Sequence, residues 1–331
     1  MSYGAQAKIG IAKQASVGSW VTAAGSYHPM PFTNDSISFT KNELITQNLA
    51  GRFEQGTAYD GTSNVAGTIE FEATPRSLLA IIGAALNASP VQVTSAQAIT
   101  RTFLPNTADF SSTFVKNPFT IYKQFADSQS AELFYDCQFG QLDLIFSSGQ
   151  FTKGRGTVVG GTRLVNGIGS LAITPDAADI VDLQPWNVAS ISIGGAAVLN
   201  FSDITVSLNE NIAPLYTINS TLAPYKYTRT GFREVTVSGT FYMSDRTALN
   251  DFVAGTLKRL LITTVSTRTA IQSGYFDTLI IDVPQMKYTA VPLNVGGPGE
   301  VAVQFNARGT LDTSSNYAMQ ITLVNSFVPA F

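Results

Sequence analysis

The chain has 331 residues, of which 44% are aliphatic, aromatic or cysteine and only 13% are charged. That apolar share is enough for real cores and excludes a disordered chain, and the length suits two domains. A net charge of −3 with no Lys/Arg cluster argues against gripping nucleic-acid phosphates. So little charge also resists self-association poorly, as if copies of the chain were meant to cover its surface.

Residues 1–29 are rich in Ala, Gly and Ser and read as an N-terminal arm carrying one alternating patch, Ala7 to Ala12. Pro29-Met30-Pro31 punctuates the start of a strand at Ser36–Thr40, with Ile37 and Phe39 inward. Glu43 to Asn64 then reads as a long flexible loop with Gly51, Gly56 and Gly61, longer than a hairpin needs. Next comes a strand in which Ile69 and Phe71 alternate with Thr68, Glu70 and Glu72. Thr74-Pro75 opens a helix whose Leu78, Leu79, Ile82, Ala85 and Leu86 recur at helical spacing, and Asn87 can close it. After a polar stretch from Asn87 to Thr113, strands are expected at Phe119–Phe125, Glu132–Phe139, Gln141–Phe146 and within Gln150–Val159. Gly140 and Ser148-Gly149 mark the turns between them.

Gly161 to Trp186, with its glycines and prolines, reads as a linker, after which the order of elements begins again. Asp203–Leu208 alternates, Asn209 to Arg233 is a second long loop with Pro214, Pro224 and three tyrosines, and Glu234 to Leu257 repeats the strand-to-helix unit. In that unit Gly239-Thr240 matches Gly67-Thr68, Ser244 is placed to cap, and Leu249, Phe252, Val253 and Leu257 hold helical spacing. Strands follow at Leu260–Val265, Thr278–Val283 and Glu300–Ala307, with Met319–Val324 as an added edge strand. The architecture expected is mainly β: a duplicated antiparallel β-sandwich or tube-barrel domain with one flanking helix per copy. Its parts would be the arm (1–29), a first domain (30–160), a linker (161–190) and a second domain (191–331).

Catalytic constellations are sparse. One histidine, His28, and one cysteine, Cys137, lie far apart in sequence and supply neither a zinc site nor a Cys-His or Ser-His-Asp arrangement. Cys137 sits in an apolar run and reads as a core thiol that fits a reducing compartment. Lys153-Gly154-Arg155-Gly156 and Asn294-Val295-Gly296-Gly297 lack phosphate-loop spacing and read as turns. Glu70 and Glu72 share a strand face roughly 7 Å apart by strand rise, a separation an inverting glycosidase also uses. No aromatic platform accompanies them, and catalysis, cofactors and metals are not expected. Asp136 and Asp282 fall at comparable places in the two halves and suggest a repeated structural role. No leader-like segment opens the chain and no apolar run reaches the ~18 residues of a membrane span, so assembly in a cytoplasm is the expectation.

Three features together resemble the tail tube (major tail) proteins of long-tailed, non-contractile bacteriophages, in particular those with two tube domains per chain. They are the arm running into His28-Pro29-Met30-Pro31-Phe32, the run Gly51-Arg52-Phe53 followed by Gly61 to Glu72, and the Thr74-Pro75 helix. The resemblance implies an inner barrel closed by sheets from neighbouring subunits, with rings stacked into a virion tube that conducts double-stranded DNA and first holds a tape-measure protein. Tube rings of that family have sixfold character, which two domains per chain would meet as a trimer. On this reading the outward strand faces line the lumen: Thr68, Glu70, Glu72, Gln141, Asp143, Thr205, Ser207, Ser238, Thr240 and Gln304, with almost no Lys or Arg. The long loops would make inter-ring or inter-subunit contacts through Gly51, Arg52, Phe53, Gly56 and Tyr59, and through Pro214, Tyr216, Pro224, Tyr225 and Tyr227. The rival readings are a single-ring tail part, such as a distal tail or tube-terminator protein, and a β-rich carbohydrate-binding or adhesin module.

Overall fold

The computed structural model describes residues 7–47, 54, 56–86, 90–105, 118–125, 131–164, 189–218, 221–293 and 300–327. The protein is mainly β, and every strand pairing is antiparallel. Its organising element is a continuous central sheet in the order β4–β5–β10–β9–β14–β17–β20–β19. These are Ser38–Ile45, Ala58–Glu72, Lys153–Val159, Ala131–Ser147, Phe201–Asn209, Glu234–Tyr242, Ala302–Thr310 and Tyr275–Ala290. The sheet runs across the middle of the chain without a break: β14 pairs with β9 from Asp203 opposite Ser147 to Asn209 opposite Gln141.

One face of this sheet is apolar, as the two-residue period requires. Ile69, Phe71, Leu142, Leu144, Phe146, Ile204, Val206, Leu208, Val235, Val237, Val303 and Phe305 are all buried on it. Phe201, Phe241, Phe305 and Tyr288 form an aromatic cluster there, with ring centroids 5.7–6.0 Å apart. Helix α1 (Pro75–Leu86) packs on the first half of that face, held at its start by Thr74, whose Oγ1 accepts the Ser77 N–H at 3.1 Å. Helix α2 (Thr247–Ala254) follows β17 as α1 follows β5. It starts later than Ser244 would allow: the Asp245 carboxylate takes the Thr247 N–H at 2.8 Å, and Gly255 ends the helix in the left-handed region.

Long strands carry the chain from the central sheet to outer layers. The first part of β9 pairs with β8 (Phe119–Gln124), which pairs with β1 (Lys8–Lys13) and through it with β2 (His28–Met30). Much of the expected arm is thus woven into a sheet, with Ile9, Ile11 and Ala12 buried. The first part of β19 likewise pairs with β18 (Lys258–Gln272), and β18 with β12 (Ala189–Ile193), which turns into β13 (Ala196–Ala197). On its other side β19 pairs with β21 (Gln320–Asn325), then β7 (Ala98–Phe103) and β6 (Val91–Ser95). Arg101 of β7 is fully buried and donates to Asn325 Oδ1 at 2.6 Å and to the Phe327 carbonyl.

Several expectations are corrected. Gly140 is not a turn: β9 runs straight through it, because Gly140 sits where β10 shifts register, and a Cβ there would meet Val159 Cγ2 at 2.8 Å. Gly154 and Gly156 lie inside β10, on its core side. A Cβ at Gly154 would meet the Phe71 ring at 2.2 Å, and one at Gly156 would meet Ile81 at 2.7 Å, so both glycines make room for the core. The polar stretch after α1 contains the β6–β7 hairpin, and β21 lies between two strands rather than at an edge. The linker residues 165–188, Asn87 and Gly51-Arg52-Phe53 lie outside the described residues.

Candidate functional site, a polar sheet face and its edges

The other face of the central sheet is polar, and register brings the expected residues together on it. One row crosses seven strands: Glu70, Arg155, Asp143, Ser207, Thr236, Arg308 and Lys287 stand side by side. Neighbouring rows hold Glu72 and Lys153, then Thr205, Ser238 and Asn306. Thr68, Thr157, Gln141, Asn209 and Glu234 form a third row, and Asp203, Thr240 and Gln304 a fourth. All ten residues expected on an outward wall therefore share one face of one sheet.

The expectation that this wall carries almost no cations is corrected. Lys153, Arg155, Lys287 and Arg308 alternate with core residues and point the same way as the acids. They went unseen because Lys153–Gly156 read as a turn, and because β19 and β20 run past the ends that the sequence suggested. Tyr288 and Met286, both buried, continue the alternation beyond Pro284 and are the signal that would have revealed Lys287.

Carboxylates hold some of this positive charge in place. Asp143 is 1% exposed and accepts four hydrogen bonds. Arg155 Nε and Nη2 reach its Oδ2 at 2.8 and 2.7 Å; Ser207 Oγ and Gln141 Nε2 reach its Oδ1 at 2.6 and 2.8 Å. Arg308 is paired with Glu234 through one contact between two exposed side chains. Glu70 and Glu72 stand opposite Arg155 and Lys153, so the two acids expected to share a face are set among cations rather than across a cleft. No group of three or more metal-binding side chains converges among the described residues.

The sheet ends in strand edges without a partner among the described residues. At one end β4 pairs only with β5, and the ends of this ribbon stand exposed. Leu44 and Tyr59 face each other across it at 61% and 59% exposure, and Lys41 bonds Asp60 at 2.8 Å. Within the expected loop from Glu43 to Asn64, Glu43–Ile45 and Ala58–Asn64 are strand and form a ribbon, and Gly56 is exposed. At the other end β19 pairs with β18 up to Met286, and Lys287 to Ala290 pair only with β20.

The second long loop is built differently from its expected open form. Ile212–Leu215 (β15) and Lys226–Arg229 (β16) make a hairpin, with Pro214 opposite Tyr227. It docks on the chain's own first half: Tyr216 donates to the Ser63 carbonyl at 3.1 Å, and the Ser63 N–H donates to the Leu222 carbonyl at 2.9 Å. Tyr227 is buried, and its phenol oxygen accepts the Gly161 N–H at 2.6 Å. Burial pushes that phenol's pKa far up, with the neighbouring Cys137 thiol adding to the shift. Tyr225 stays exposed and Pro224 half-buried.

The paired aspartates do structural work in both halves. Asp136 Oδ1 accepts the Gln14 amide and the Gly18 N–H, each at 2.9 Å, and so pins the N-terminal segment. Asp282 accepts Arg259 through both oxygens at 2.7 and 2.9 Å and Tyr317 at 2.8 Å. Cys137 is buried, and burial raises its thiol pKa well above the usual range, which suppresses the reactive thiolate.

A family model described as phage tail tube protein matches residues 4–309. No curated protein matches the chain. A β-rich chain built on one long sheet, with a polar face and strand edges left open, accords with that match over nearly its whole length, and the chain belongs to the phage tail tube protein family.

Proposed function

We propose that this protein polymerises into stacked rings that form the tube of a phage tail, with the polar face of the central sheet turned to the lumen. The observation that carries the reading is the seam between β9 and β14. Along the sheet the first half contributes β4, β5, β10 and β9, and the second contributes β14, β17, β20 and β19, strands of matching rank in matching order. Such a repeat is what an internal duplication would leave. The edge of β19 from Lys287 to Ala290 corresponds to the part of β9 that receives β14, and β4 corresponds to β14. Joining β19 of one chain to β4 of the next repeats inside a ring the seam that already exists inside the chain, and head-to-tail joints of this kind close without a two-fold axis. With sixfold character supplied by two halves per chain, the ring is a trimer.

On this reading Arg155 and Arg308, tied to Asp143 and Glu234, present a wall whose positive charge is compensated, so DNA passes with little attraction. The β4–β5 ribbon, with Leu44 and Tyr59 bare at its end, reaches toward the next ring. The tape-measure protein and other tail proteins are its further partners, in the virion, after assembly in the host cytoplasm. The protein acts as a structural part and not as an enzyme.

Negative-stain microscopy and native mass spectrometry of the purified chain test the reading. Tubes built from trimeric rings are expected. Hexameric rings would overturn the pseudo-sixfold arrangement, and a chain that stays monomeric would overturn the tube. Replacing residues 43–60 by a two-residue turn, which removes Leu44 and Tyr59 and keeps Ser63, is expected to leave folded single rings; long tubes from that variant would move ring-to-ring adhesion elsewhere.

A further inference from the structure

Helices α1 and α2 follow strands of matching rank, yet their surroundings are opposite. In α1 every residue except Arg76 is buried, among β9, β2, β7 and β21. Part of that cover comes from the second half of the chain. Strand β21 lies against the helix, and the Phe327 ring centroid sits 4.9 Å from the Arg76 guanidinium carbon. In α2 no residue is buried, and the helix rests on β19. Val253 is 78% exposed, and Phe252 and Leu257 also reach solvent.

The neighbourhood of α2 is apolar and open. A cavity of about 530 Å3 lies between Ala248 of the helix and the segment Ala196 to Phe201, and Phe241 and Tyr288 also line it. Leu199 at its rim is 95% exposed. In the first half the strand of matching rank, β2, packs directly on α1. Of the three charged residues on the cavity wall, Asp251 and Lys258 satisfy each other at 3.0 Å, and Asp245 accepts the Thr247 N–H at the start of the helix, so they do not select a charged occupant. A helix with one apolar side left in water is stabilised by whatever removes that side from water.

We infer that the face formed by Phe252, Val253, Leu257 and Leu199 seats the first half of the next copy of this chain. The next copy covers α2 as the second half covers α1. The inference rests on the ring proposed above, in which the half that follows β19 belongs to another chain, so the partner that meets the β19 edge is the one placed to cover α2. It adds a contact away from the strand edges, on the apolar side of the sheet. Such a contact would make each joint between chains two-sided, fixing the angle at which successive sheets meet.

Cys137 is buried, so a Val253→Cys variant carries one accessible thiol for a benzophenone label. Tubes assembled from mixed heavy-isotope and ordinary labelled chains are irradiated and the joined peptides identified. The expected products link position 253 to residues 30–160 of a different chain. Links within one chain, links to a second half, or a label that stays fully water-exposed in formed tubes overturn the inference and leave the tube reading standing. A wild-type chain that forms no assembly overturns both. Leu199→Cys gives the same readout from the opposite rim should the helix tolerate the label poorly. Val253→Glu, at an exposed position, is expected to fold and to lose at least tenfold in assembly rate; assembly at the wild-type rate also overturns the inference.

Discussion

Replacing Asp143 by Asn removes half of the acceptor capacity at the centre of the polar face. The carboxylate holds Arg155 through Oδ2 and Ser207 and Gln141 through Oδ1, and only 1% of its residue surface is exposed. An amide offers one oxygen, and its NH2 then faces either the guanidinium or the Ser207 and Gln141 donors. The Arg155 side chain is 44% exposed, so its charge finds water again and the full penalty for an orphaned buried ion does not apply. What is lost is the net worth of about two charge-assisted bonds, about 3 kcal/mol in all at the low end that this exposure sets. Urea unfolding of Asp143→Asn, Arg155→Gln and the double variant measures it as a shift in midpoint at constant slope. The cycle is expected to show a coupling of about 1–3 kcal/mol between the two residues. In parallel, the freed cation should increase retention on duplex DNA in a way that fades with salt, its log–log slope steeper by up to ~0.9 for each phosphate contacted. Additive single effects, each within about 0.5 kcal/mol of zero, with unchanged DNA retention, would refute the view that Asp143 masks Arg155.

A Cβ at Gly67 would lie 2.5 Å from Ile37 Cα on a backbone at φ +151°, and one at Gly239 would lie 2.3 Å from the Asp203 carbonyl. Gly→Ala at either site is therefore expected to cost more than about 2 kcal/mol, read by thermal unfolding, and a neutral result at both would remove their shared role. Tyr227→Phe leaves the Gly161 N–H without its acceptor in a buried place, which should cost about 1–3 kcal/mol and loosen the β15–β16 hairpin, visible as faster amide exchange there. Burial first, and the Asp251 charge second, push the Tyr288 phenol up to about 12. A raised phenol favours the folded state below its unfolded value near 10, and this contribution is lost as pH rises from about 10 through 12. Denaturation midpoints should fall across that window, and less so in Tyr288→Phe.

Much of the sheet was legible from alternation alone. Ile69 and Phe71, or Val301, Val303 and Phe305, declare their strand and their inward face without help. The matched pairs Gly67-Thr68 and Gly239-Thr240 were read only as a shared mark of the strand-to-helix unit; both glycines lie where the preceding strand crosses close to a backbone. Glycine misled where its role was to make room. Gly140, Gly154 and Gly156 read as turns, yet each lets a side chain or a neighbouring strand approach inside a continuous ladder. Pro284 lies in β19 between Asp282, which pairs with β21, and Gln285, which pairs with β20, so its missing N–H falls in the gap between partners. The pairing of β9 with β14 was not legible, because no local pattern specifies which edge a strand will find. The α2 face showed itself in the sequence only as helical spacing; spacing says that a side is apolar, not what covers it.

The joining of β7 to β19 through β21 has a consequence for synthesis. The β6–β7 hairpin leaves the ribosome well before its partner strand, Gln320–Asn325, is made. At ~5–20 residues/s the hairpin waits about 10–40 s for the strip that buries Arg101 and occupies its inner edge. During that time β7 presents an unpaired edge, the kind of template on which nascent chains of the same sequence pair wrongly. That edge stays open inside each copy until Gln320–Asn325 arrives to pair with it.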